Sequence, residues 1–184
     1  MSIVRSWRYR NIFMTLPRRF SQDDLIQLFV FCAFPIHVWS MILELQEIPS
    51  MLLQMSVNEI IGSLAYNMLF TLVETLIIYA IVLAIGLFLP RRWIHTIYVP
   101  IGSVVLTELS LFMMLFQWFD LQSYSRKYLL VLALPILLLS ILVIPRIPKL
   151  NQITHSIANR LTVLTAVYIL FDVTGMIIVV TRNL

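Results

Sequence analysis

Charge is what this 184-residue chain has least of: 12% of its residues are Asp, Glu, Lys or Arg, against about 25% in an ordinary soluble domain. That scarcity excludes a conventional water-soluble enzyme. A single cysteine excludes a disulfide-stapled scaffold and a cysteine-based metal cluster. With four glycines, collagen-like and low-complexity chains are excluded as well. What is abundant is apolar surface, with 60% of residues hydrophobic and a mean hydropathy of +0.93. These features together describe an all-α polytopic membrane protein. The net charge of +4 comes from basic residues in short groups beside apolar runs. It therefore points to an anionic membrane leaflet, not to nucleic acid.

A hydrocarbon core of roughly 30 Å is crossed by about 20 apolar residues of helix, and five runs of that kind occur, at 25–43, 62–89, 94–119, 128–144 and 161–181. Ser21 followed three residues later by Asp24 has the spacing of a capping box that starts the first helix. The second run ends at Pro90, with Arg91, Arg92 and Trp93 at the interface, and the fourth ends at Pro145. No small-residue cleavage signal follows the first run, so that run reads as a signal anchor. The expected organisation is a basic amphipathic interfacial segment, 1–24, followed by one five-helix transmembrane domain, 25–184.

Basic residues are retained on the cytoplasmic side. With the amino terminus inside, ten of the thirteen Lys and Arg are cytoplasmic: Arg5, Arg8, Arg10, Arg18, Arg19, Arg91, Arg92, Arg146, Lys149 and Arg160. Only Arg126, Lys127 and Arg182 lie outside. The sequence thus predicts an N-in, C-out chain in a bacterial cytoplasmic membrane. Arg5, Arg8, Arg10, Arg18 and Arg19, interleaved with Trp7, Tyr9 and Phe13, form its expected anchor on lipid headgroups.

The spans contain no Lys or Arg but three acids, Glu74, Glu108 and Asp172. A charge at the bilayer centre costs at least about 2.5–3.5 kcal/mol on insertion scales, so these acids are the informative residues. Glu74 follows Ser63, Asn67 and Thr71 at steps of four, four and three, which reads as a polar stripe on the second helix. Asp172 shares a stripe with Thr162, Thr165, Tyr168 and Gly175 on the fifth. Glu108 lies about 100° off the polar stripe of the third helix, and His37 heads a line through Ser40, Glu44 and Glu47 on the first. His37, Glu74, Glu108 and Asp172, with Asn67, are the candidate site, expected to share one layer near or outside the midplane. Such a cluster has no fixed cation and is most simply neutral, its protonated acids hydrogen-bonding Ser, Thr and Asn.

Three roles fit that site: interhelical hydrogen bonds of about 1 kcal/mol or less each, pairing with Lys or Arg of another subunit, or a proton or cation pathway. Pro35, Pro100 and Pro135 fall within spans, where kinks are the ordinary outcome. Catalytic motifs are missing: there is no nucleophile elbow, phosphate loop, H-E-x-x-H or C-x-x-C. His37, His95 and His155 are too far apart to share a metal, and the lone Cys32 reads as a small core residue. No enzyme activity, cofactor or metal is expected. The leading expectation is a non-catalytic subunit or scaffold of a larger membrane complex, its partners being lipids and other subunits or copies of itself. The alternative is a small proton- or cation-coupled transporter or channel that uses the intramembrane acids.

Overall fold

A computed structural model describes residues 20–90, 93–118, 123–147 and 149–184. The arginines of the expected headgroup anchor, Arg5 to Arg19, lie outside the described residues, as do Arg91 and Arg92. Every secondary-structure element described is helical: α1 (Gln22–Gln54), α2 (Val57–Phe88), a π-helical turn (Ile94–Tyr98) leading into α3 (Val99–Trp118), α4 (Ser123–Val143), a 3-10 turn (Ile144–Arg146) and α5 (Leu150–Asn183). Four helices, α1, α2, α3 and α5, are long and apolar enough to cross a membrane. In α4 the apolar stretch Val131–Val143 is shorter.

Four helices, α1, α2, α4 and α5, extend past the apolar runs that announce them. The first run stops at residue 43 and α1 continues to Gln54; the last begins at 161 and α5 starts at Leu150. Hydropathy marks the part of a helix that prefers lipid, whereas the helix itself ends where its backbone groups find other partners. At the start of α1, the Ser21 hydroxyl accepts from the Asp24 amide at 3.1 Å while the Asp24 carboxylate accepts from the Ser21 amide at 2.9 Å. Ser56 and Glu59 build the same reciprocal box at the start of α2, so α1 and α2 are separated by only two residues. Pro35 and Pro49 lie inside α1 and Pro135 inside α4. Pro100 instead follows the π-helical turn, which widens the backbone immediately before a residue with no N–H to donate.

Side-chain contacts set the directions. Tyr79 of α2 donates to the Leu25 carbonyl near one end of α1, and Asn67 donates to Ser40 farther along, so α1 and α2 are antiparallel. The Gln27 amide donates to Ser103 at 3.1 Å and the Trp39 indole donates to Gln117, so α3 runs parallel to α1. In the α2–α5 pair, a side chain at Gly175 would stand 3.0 Å from the Ala65 carbonyl and 3.2 Å from the Met68 Cβ, and Arg182 donates to the Asn58 carbonyl. That register makes α5 antiparallel to α2 and parallel to α1. The remaining helix, α4, returns the chain from the Trp118 end of the bundle to the Leu150 end, held to α3 where Ser140 donates to Glu108.

The hub is α1, which packs on α2, α3 and α5. In its most apolar stretch 39% of residues are buried, against 11–17% in α2, α3 and α5. Leu28, Val30, Cys32 and Ala33 are sealed in its interface, with Phe20, Ile94 and Val99 capping the end where α1 begins. In lipid an apolar side chain gains little from leaving the solvent, so close packing and polar contacts decide which faces meet. Gly175 is one such place. Because it has no Cβ, α5 can approach the α2 backbone.

Candidate functional site

The helix directions bring His37 of α1 and Asp172 of α5 together in the middle of the bundle. His37 Nε2 lies 2.9 Å from Asp172 Oδ2. Both residues are almost fully enclosed, at 2% and 0% exposure. The other ring nitrogen, Nδ1, is 2.7 Å from the Ala33 carbonyl. That geometry fixes the protons: a carbonyl can only accept, so Nδ1 carries a hydrogen. With Nδ1–H assigned, two unprotonated atoms at Nε2 and Oδ2 would repel, so one proton lies between them. With that proton alone the pair carries no net charge, whichever atom it rests on. Tyr168, one turn before Asp172, stacks on the imidazole with ring centroids 5.4 Å apart and planes 13° from parallel.

Toward the α1–α2 junction the polar line continues. Ser40 receives hydrogen bonds from Asn67 (3.0 Å) and from the Thr71 hydroxyl (2.9 Å). Asn67 also donates to Glu44, which is buried, and Glu47 beyond it is exposed. Two oxygens beside this network have no hydrogen-bond partner among the described residues: Asp172 Oδ1 and Thr75 Oγ1, both on residues at 0% exposure. An enclosed oxygen without a partner is uncommon and destabilising.

The five candidate residues therefore do not form one layer. His37 and Asp172 meet, and Asn67 bonds Ser40, one turn along α1 from His37. Glu108 is half-buried and turned to α4, where one carboxylate oxygen accepts from Ser140 and the other is unpartnered among the described residues. Glu74 is exposed and has no hydrogen-bond partner among the described residues. The stripe on α2 explains this divergence. Ser63, Asn67 and Thr71 continue at a step of four to Thr75, which is fully buried, while Glu74, one position earlier, is rotated by about 100°. Continuing the four-residue step would have found Thr75. Of the three acids in the spans, Asp172 is the one that meets the imidazole of His37. On α5, Thr165, Asp172 and Gly175 of the expected stripe are buried, and Thr162 and Tyr168 are half-buried.

Nearer the amino-terminal ends of α1 and α5, an open cleft of about 270 Å³ is lined by Asp23, Gln27, His155, Asn159 and Thr162. Cys32 is buried against Phe31, Leu106 and Ala158, and its thiol contributes packing alone. Compared with protein-family models, with curated proteins and with solved structures, the chain matches none.

Proposed function

We propose that this chain is a non-catalytic subunit of a larger membrane assembly, embedded in a bacterial cytoplasmic membrane with its amino terminus inside. The observation that carries the reading is Glu74. It lies on the outward face of α2 among Phe70, Ile77, Ile81, Ala84 and Phe88, all exposed. From Phe70 through Glu74 to Phe88 the steps are four, three, four, three and four, the spacing with which one helix lies along another. A carboxylate on such a face is costly in hydrocarbon. Among the described residues it has no partner, and a neighbouring transmembrane helix bearing Lys or Arg at the same depth would remove the penalty.

The alternating helix directions support five crossings, with α4 as the fourth, and ten of thirteen basic residues then fall on the side of the amino terminus. That is the distribution expected when this side is cytoplasmic.

The test is a mild-detergent pull-down of the tagged full-length chain from its native membrane, with the mass of the intact particle measured. A stoichiometric larger partner that is lost on Glu74→Ala supports the proposal. A particle containing only this chain, unchanged by Glu74→Ala, overturns it.

A further inference from the structure

We infer that the His37–Asp172 pair is a proton-binding site that loads from the end of the bundle where α1 joins α2. The inference goes beyond the subunit reading and shares with it only the placement of the bundle in a membrane.

In the resting pair both imidazole nitrogens and Asp172 Oδ2 are engaged, through Ala33 and through each other. Asp172 Oδ1 is the one position left for a further proton, enclosed and without a partner among the described residues. A proton arriving on Oδ1 turns the neutral pair into an imidazolium facing a carboxylic acid, with one positive charge in total. Its departure restores the neutral pair. Tyr168 lies flat on the imidazole, and an aromatic face stabilises a cation placed over it, so the loaded form has a ready counterpart in the structure.

The surroundings are asymmetric. Toward the α1–α2 junction stand the hydroxyls of Ser40 and Thr71, then Asn67, then Glu44, and finally the exposed Glu47. In the other direction Phe34 and Tyr168 pack with ring centroids 6.2 Å apart, and the buried hydroxyls of Thr75 and Thr165 are not joined to one another by a hydrogen bond. The hydrogen-bonded line that ends at an exposed acid is therefore the one toward the α1–α2 junction.

The titratable neighbours are few. On α1 they are Glu44 on the loading side and Cys32 below; on α5, Tyr168. From α2, Thr71 and Thr75 carry hydroxyls only, Tyr79 bonds the Leu25 carbonyl farther down, and Glu74 is exposed. From α3, Glu108 is held against Ser140 of α4. A proton taken up in this layer is thus taken up by the pair.

The test uses the full-length chain in lipid nanodiscs with 15N-labelled histidine, reading the His37 ring nitrogens by NMR across about pH 5 to 8 and somewhat beyond, where histidine chemistry falls. The expected result is a singly protonated Nδ1 with a shared Nε2 proton at high pH, passing to a doubly protonated imidazolium on acidification. In Asp172→Asn, which lacks the carboxylate oxygen that receives the second proton, the change seen in the native chain is expected to be lost or displaced. In Glu44→Gln, exchange of the His37 ring protons with water is expected to slow several-fold. A His37 spectrum constant across the range in the folded native chain overturns the inference, and needs no variant to be stable. Unaltered exchange in Glu44→Gln overturns the loading direction, and these readouts, taken on the purified chain, stand apart from the pull-down.

Discussion

Asp172 and Glu74 are both single acids near the middle of a long apolar helix, and the bundle treats them in opposite ways. Asp172 is enclosed and held by a histidine from a helix far away in sequence; Glu74 is presented outward on a face of isoleucine, alanine and phenylalanine. An acid in a span needs compensation, and the compensation can come from inside the fold or from a neighbour outside it. Among the described residues Asp172 has a partner for one of its oxygens, and the exposed Glu74 has none.

The largest effect that would break this comparison is expected at the pair. Asp172→Ala or His37→Ala leaves one member enclosed without its partner, a change that costs about 3–5 kcal/mol in buried pairs. Thermal unfolding in detergent should show it as a large drop in the transition temperature. The double replacement His37→Leu with Asp172→Leu removes both polar groups and should be less destabilised than either single variant. If the double is as unstable as the two singles combined, the residues are not coupled and the pair is no unit.

Next comes Gly175→Leu, whose side chain would meet the Ala65 carbonyl and the Met68 Cβ. Overpacking of this sort costs about 1–3 kcal/mol, and unfolding should reveal a loss intermediate between that of the pair and that of a cap. A Gly175→Leu chain as stable as the native one would mean that α2 and α5 are not in close contact. The cap itself, Ser21→Ala, should cost about 1 kcal/mol, read in the same assay, and sets the scale for a local contact.

The smallest effect is expected at the other acid. Glu74→Gln should leave the isolated chain within about 0.5 kcal/mol of native, because the side chain is exposed, while recovery of the proposed partner in the pull-down falls sharply. Equal destabilisation by Glu74→Gln and Asp172→Asn would erase the distinction between the two sites.

Much of the architecture was legible before any fold. The apolar runs announced the helices, and Ser21 with Asp24 announced where the first begins. The polar stripe of α5 was read correctly because a single helix's period decides it: Thr165, Asp172 and Gly175 share a face wherever the helix is placed. The cap at Ser56 and Glu59 carried the same signal as the first, and reading it would have brought the start of α2 forward. The stripe of α2 was misread at its last member because Thr71 can be followed at a step of three or of four, and hydropathy does not choose between them.

The sequence by itself determined that the chain is helical and lipid-loving, which residues share a face, and that its charged residues inside the spans are few. It determined these because they depend on composition and on a period of 3.6 residues. Only the tertiary structure decided that His37 meets Asp172 across 135 residues of chain, and that Glu74 looks outward while its neighbour Thr75 is enclosed. Those outcomes depend on how far each helix is rotated about its own axis. Rotation is set by close approach at residues such as Gly175 and by interhelical hydrogen bonds, because lipid rewards one apolar face as readily as another.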